Sequence, residues 1–170
     1  MLKLLCAPIL EQSGSATVHS LLEFAYRKEY GDALPDIKKT SAGKPFFPDR
    51  PDVHFSLSHA HTHVLCGISS EPIGVDIESP RKISEKAISF FSYPEELDFF
   101  DPLDLWVLKE SYIKLIGGRL MLVKSIRFSY ENGAIVTTDR LAFSRLYHVD
   151  GCRAAASTYG DHLPDSIELI

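Results

Sequence analysis

Asp76 and Glu78 stand two residues apart in the segment Gly74-Val75-Asp76-Ile77-Glu78. On a strand, residues two apart share a face, so both carboxylates point one way while Val75 and Ile77 point the other. Two anions side by side repel unless water or a cation separates them. Hard oxygen ligands on a rigid strand suit Mg²⁺, which keeps several of its waters and often binds substrate phosphates as well. A solvated polar face is the plainer reading of the same pattern. Gly74 leans toward function, because glycine within a strand often marks a close approach of another backbone.

A second concentration of charge lies thirty-odd residues later, in Trp106-Val107-Leu108-Lys109-Glu110-Ser111-Tyr112-Ile113-Lys114. At about 100° per residue, Leu105, Leu108, Tyr112, Leu115 and Ile116 form one broad apolar face. Glu110, Ser111 and Lys114 share the opposite side with Val107, and Lys109 falls among the apolar residues. Such a helix is buried around most of its circumference. Lys109 must therefore reach the surface along its stem or meet an anion. Glu110 and Lys114 read either as an i,i+4 pair of about 0.3–0.5 kcal/mol or as a third carboxylate and a phosphate-binding cation. Charges on a largely buried helix are costly unless they find partners.

The elements that position these residues follow from periodicity and turn signals. A first strand spans Lys3 to Pro8, and a helix runs from Ser13 to Tyr30, stopped by Gly31. Strands are expected at His54–Ser58, His63–Ser69 and Ile73–Glu78. Short helices at Ser84–Phe91 and Pro94–Asp101 precede a longer one, which starts at Pro102 and ends before Gly117-Gly118. Four more strands follow at Ser125–Tyr130, Ala134–Thr138, Arg145–His148 and Cys152–Thr158. The order is strand–helix–strands, then strand–helices–strands. It predicts an α+β protein of two similar pseudo-symmetric halves, residues 1–73 and 74–170, each a small antiparallel sheet packed on helices.

The 170 residues are 45% apolar with a formal charge of −5. That balance argues against nucleic acid, which requires clustered Lys and Arg. The cysteines Cys6, Cys66 and Cys152 are odd in number and widely spaced, so they read as buried small hydrophobes. No run approaches the roughly 18 apolar residues of a membrane span, and the apolar start MLKLLCAPIL is too short for a signal sequence. A cytoplasmic protein is expected.

Taken together, G-V-D-I-E and W-x-x-K-E-S-Y-x-K resemble the signature of the Sfp-type 4'-phosphopantetheinyl transferases. Gly43-Lys44-Pro45 is similar to that family's GKP, Phe55-Ser56-Leu57-Ser58-His59 to its F-N-x-S-H strand, and Phe90-Phe91-Ser92-Tyr93-Pro94-Glu95 to its F-F-S/T-x-x-E segment. The resemblance implies an enzyme that moves the phosphopantetheine of coenzyme A onto a serine of an apo acyl or peptidyl carrier protein, with Mg²⁺. It implies that Asp76, Glu78 and Glu110 hold the metal, Lys114 contacts the phosphate next to pantetheine, and Lys109 sits beside the attacked phosphorus. Glu95 would help deprotonate the serine, Ser58 and His59 would touch the ribose 3'-phosphate, and Lys44 would lie near the adenine nucleotide. Two departures stand out. Gly14 occupies about the place of an arginine, leaving Arg27, Lys28, Lys38 or Lys39 to substitute, and Ser56 replaces an asparagine. A site built from two fused halves implies a monomer.

Three further expectations concern the segments around this core. Phe90, Phe91, Leu97, Phe99 and Phe100 are more apolar bulk than two short helices usually bury. Some are expected to receive the carrier, with Arg81, Lys82 and Lys86 attracting its acidic residues. The alternate histidines His59, His61 and His63 offer a rival reading as a zinc hydrolase site. A non-catalytic relative that merely binds coenzyme A or a carrier is the other rival.

Overall fold

The computed structural model describes residues 1–10 and 13–170. Strand β1 (Leu2–Pro8) leads to helix α1 (Gly14–Tyr30), capped by the Ser13 hydroxyl and closed by Gly31 in the left-handed region. Next come β2 (Lys38–Lys39), β3 (Pro45–Phe46), β4 (His54–His59), β5 (His63–Ser69) and β6 (Ile73–Glu78). Helices α2 (Glu85–Phe91), α3 (Pro94–Leu97) and α4 (Pro102–Ile116) follow, with a 3₁₀ turn at Leu120–Leu122. The chain ends in β7 (Phe128–Glu131), β8 (Ala134–Thr137), β9 (Phe143–Val149), β10 (Cys152–Thr158) and β11 (Glu168–Leu169).

The two main sheets are ordered β11-β1-β5-β4 and β6-β10-β9. The repetition is plain in this order. In each half the first strand pairs with the last, the last pairs with the one before it, and all these pairings are antiparallel. The fold is α+β, with small antiparallel sheets packed on helices. Strand β11, from the end of the chain, runs parallel to β1 and extends the first sheet.

Alternation along the strands builds four layers. Leu5, Val64, Cys66 and Ile68 face α1, whose Val18, Leu21, Leu22, Ala25 and Tyr26 cover them. Leu4, Cys6 and Leu65, on the other face, pack against Val75, Ile77, Ala154 and Ala156 of the second sheet. The far face of that sheet meets α4 through Ala155, Leu105, Leu108 and Tyr112. All three cysteines are buried free thiols. Among the described residues no helix is long and apolar enough to cross a membrane.

Five elements differ from the sequence expectation. Helix α3 closes after one turn, because Phe99 and Phe100 donate their amides back to Glu96. Strand β7 starts late, at Phe128, since the turns that follow Leu120–Leu122 run through Ser125. The two-residue strands β2, β3 and β11 are too short to leave a periodic trace.

The contact that positions the site is between β6 and α4. A Cβ built on Gly74 would lie 2.0 Å from the Ser111 carbonyl oxygen and 2.3 Å from the Leu115 amide nitrogen. Both neighbours are helix backbone and cannot step aside. Glycine therefore sets the distance between strand and helix. Gly74→Ala should force them apart, with a stability loss of at least about 1–3 kcal/mol, read as a lower denaturant midpoint.

Candidate active site

Where α4 crosses β6, the strand presents Asp76 and Glu78 and the helix presents Trp106, Glu110 and Lys114. These three helix positions are four residues apart and form one half-exposed stripe on a helix that is otherwise enclosed from Leu105 to Leu115. Asp76 is buried. Its Oδ1 accepts from the Ser58 hydroxyl and from Lys114 Nζ, each at 2.8 Å, while Oδ2 is buried with no hydrogen-bond partner among the described residues. Glu78 accepts from Trp106 Nε1 at 3.0 Å and from the Arg81 guanidinium, both of whose bonds are 3.2 Å. Glu110 is half-buried and makes no hydrogen bond or ion pair among the described residues.

Charge repulsion is built into this arrangement. Burial raises the pKa of the Asp76 carboxyl above its ordinary value; Lys114 and Ser58 oppose the shift, and Glu78 adds to it. Burial likewise raises Glu110, with Asp76 and Glu78 adding to the shift and Lys114 opposing it. The three carboxylates thus feel one another. Among the described residues no three His, Cys, Asp or Glu side chains are grouped closely enough to hold a metal ion as they stand; Lys114 occupies one oxygen of Asp76, and Arg81 both oxygens of Glu78. The chemistry of the donor set suits a hard divalent cation. The residues supply three oxygen donors, one of them a buried oxygen that nothing else among the described residues satisfies, and a cation between them would relieve the repulsion.

Next to this group a cleft of about 230 Å³ is lined by Gly43, Lys44, Ser56, Leu57, Lys114 and Gly117, among others. Lys44 closes one side, its Nζ donating to the Leu115 carbonyl at 2.6 Å. Burial lowers the Lys44 pKa to about 8.

No family model matches the chain. The chain is 37% identical over 176 residues to the 4'-phosphopantetheinyl transferase Sfp of Bacillus subtilis, an alignment covering 92% of this chain and 77% of that protein. The chain belongs to the 4'-phosphopantetheinyl transferase family. The 4'-phosphopantetheinyl transferase ffp of Bacillus subtilis is 31% identical over 177 residues, with the same two coverages. The 4'-phosphopantetheinyl transferase gsp of Aneurinibacillus migulanus is 37% identical over 91 residues, 48% of this chain and 38% of that protein.

Of the residues that the resemblance to this family singled out, the structure brings Asp76, Glu78, Glu110, Lys114, Ser58 and Lys44 to one region. Ser58 has a different neighbour from the one expected. Its hydroxyl is committed to Asp76 and Lys114 and accepts from the Ile77 amide at 3.4 Å. Ser56, two residues back on β4, accepts from the Val75 amide at 3.0 Å. The two serines therefore join the edges of the two sheets beneath the carboxylates. His59 is exposed, with its ring beside Gly14 at the first turn of α1. A side chain at position 14 would crowd that ring, with a Cβ only 3.0 Å from its Cγ.

Lys109 and Glu95 stand outside the group. Lys109 is fully enclosed, donating to the Phe91 carbonyl at 2.6 Å and to Glu96 at 2.8 Å. It meets an anion, as a charge on that face must, but the anion belongs to the protein. Burial lowers its pKa, and the Glu96 carboxylate pulls the other way. Glu95 is exposed in the first turn of α3. Glu96 was not picked out from sequence; its signal was Pro94, which in the first helical position places Glu96 third, where a glutamate reaches back to the cap.

The histidines do not converge. His63 is buried against Thr62 and bonds Asp150 at 3.1 Å, whereas His59 lies by Gly14 and His61 is exposed at the turn. Ser58→Ala removes a donor to Asp76 and an acceptor for Lys114 and the Ile77 amide. It should lower stability by about 1–3 kcal/mol, measured by urea denaturation.

Proposed function

We propose that this chain transfers the 4'-phosphopantetheine group of coenzyme A to a serine of an apo acyl or peptidyl carrier protein, releasing 3',5'-ADP. The observation that carries this reading is the meeting of Asp76, Glu78, Glu110 and Lys114 where α4 crosses β6, in a member of this family. Asp76, Glu78 and Glu110 would hold Mg²⁺, which would neutralise charge on the pyrophosphate. The division of labour follows the two halves. Residues 1–73 would take the nucleotide, and residues 74–170 the metal and the transferred phosphate.

In the reaction the serine oxygen attacks the phosphorus that carries pantetheine. A bond forms there, the bond to the bridging oxygen breaks, and 3',5'-ADP leaves with that oxygen. Little covalent chemistry falls to the protein, so positioning and charge stabilisation dominate. Lys114 is half-exposed and rests on Asp76, next to the cleft. With Asp76 given over to a metal ion, the Lys114 ammonium would be free to meet a phosphate oxygen. Lys44 lines the same cleft and suits the adenine nucleotide. His59 sits beside Gly14 in the first turn of α1, where an imidazole and the positive end of the helix together favour the 3'-phosphate. Glu95 is the candidate acceptor for the serine proton, supported by its exposure.

The carrier would arrive over α2 and α3. Phe91 and Phe100 belong to the core, but Phe90, Leu97 and Phe99 are exposed, and so are the cations Lys82 and Lys86. An acidic helix suits that surface. A monomer in the cytoplasm completes the reading.

Asp76→Ala and Glu110→Ala should each lower transfer by about 100-fold or more, followed as the mass gained by an apo carrier with coenzyme A and Mg²⁺. Both variants should keep native circular dichroism, and full transfer by either would refute the site. Protons compete with the metal for carboxylates whose pKa values are raised. The Mg²⁺ concentration needed for half-maximal transfer should therefore rise as pH falls, and chelation should abolish transfer reversibly.

A further inference from the structure

The Lys109–Glu96 pair is among the most enclosed charged contacts in the molecule. The two side chains are 0% and 3% exposed. Glu96 Oε2 also accepts from the Tyr93 amide at 3.0 Å, and Oε1 from the Phe128 amide at 2.9 Å. Lys109 adds the Phe91 carbonyl, at the end of α2. One carboxylate thus ties together the start of α3, the start of β7 and the middle of α4, and its lysine partner adds the end of α2.

Breaking such a contact leaves a buried charge unpaired, which is far costlier than the pair itself. To reach a phosphate, Lys109 would have to give up both bonds and cross the core. Its charge is held in place for another purpose. At about 100° per residue, Lys109 and Lys114 leave α4 roughly 140° apart, with Glu110 between them and about 40° from Lys114. One lysine is fixed to Glu96 and the other to Asp76. Two attachments on different sides of a helix fix its rotation about its own axis, and that rotation decides whether Glu110 faces β6.

We propose that Glu96 is a positioning residue for the reaction: through Lys109 it sets the rotation of α4 that turns Glu110 toward Asp76 and Glu78. This rests on the transferase reading for its consequence in catalysis, but the geometric part does not. Trp106 is the single tryptophan. It lies on the same stripe as Glu110, bonds Glu78 and packs edge-on against Phe91, with ring centroids 5.1 Å apart. Its fluorescence reports the same rotation without any turnover.

The test compares Glu96→Gln, Lys109→Met and the double variant by three readouts. These are calorimetric Mg²⁺ titration with coenzyme A present, Trp106 emission, and kcat and KM for transfer. Each single variant should weaken Mg²⁺ binding by about tenfold, shift Trp106 emission to the red and lower kcat, while KM for the carrier stays unchanged. The double variant leaves no unpaired charge but has lost the attachment as well, so it should regain stability while Mg²⁺ binding, Trp106 emission and kcat stay impaired; recovery of all three would assign the losses to the unpaired charge and overturn the proposal. Glu96→Asp keeps the charge but shortens its reach, and it should show a smaller loss of the same kind if a single variant fails to fold. A loss of kcat in Lys109→Met alone, with Mg²⁺ binding, Trp106 emission and Glu96→Gln all unaffected, would overturn the proposal and return Lys109 to the phosphate. An unsubstituted protein that leaves an apo carrier unmodified would refute the transferase reading, while the titration and emission would still decide the role of Glu96.

Discussion

The structure depends on how closely α4 lies on β6. At Gly74 the helix backbone occupies the space in which any other residue would carry its side chain. That approach brings Lys114 onto Asp76 and Trp106 onto Glu78. It also leaves Glu110 close enough to both carboxylates to share their repulsion. A separation larger by one methyl group would replace these contacts with water. The repulsion among three acids would then be screened, and with it the reason to bind a cation.

Burial decides which charges act and which hold. Asp76 and Glu110 are partly or wholly withdrawn from water and lack full compensation, so their protons and any metal compete for the same oxygens. Lys109 and Glu96 are withdrawn further still, yet every strong demand of the pair is met by a neighbour. A satisfied buried pair rigidifies its surroundings, whereas an unsatisfied one invites a ligand. Serine hydroxyls do comparable work between the halves: Ser56 and Ser58 accept amides from β6 where no strand pairs with its edge.

Much of this was legible in the sequence. The alternation of Val75 and Ile77 with Asp76 and Glu78 gave the strand and its two faces. Pro102 and Gly117 bounded α4, and the repeated order of elements anticipated the two sheets. Other features were not legible, for physical reasons. The two-residue strands carry no period. The partner of Lys109 depended on whether Glu95 or Glu96 faced inward, and one position on a one-turn helix rotates a side chain by about 100°. The family resemblance assigns Ser58 to a phosphate contact, and only the layer packing shows that its hydroxyl lies beneath Asp76. The exposed Phe90 and Phe99 and the buried Phe91 and Phe100 differ in burial but not in residue type.

On the proposed reading, Asp76, Glu78 and Glu110 share one divalent ion beside Lys114. Anomalous diffraction from crystals grown with coenzyme A and Mn²⁺ in place of Mg²⁺ addresses it directly. A single strong peak within bonding distance of Asp76 and Glu110 is the expected result. A peak elsewhere, or an ordered coenzyme A with no metal against these carboxylates, would contradict it.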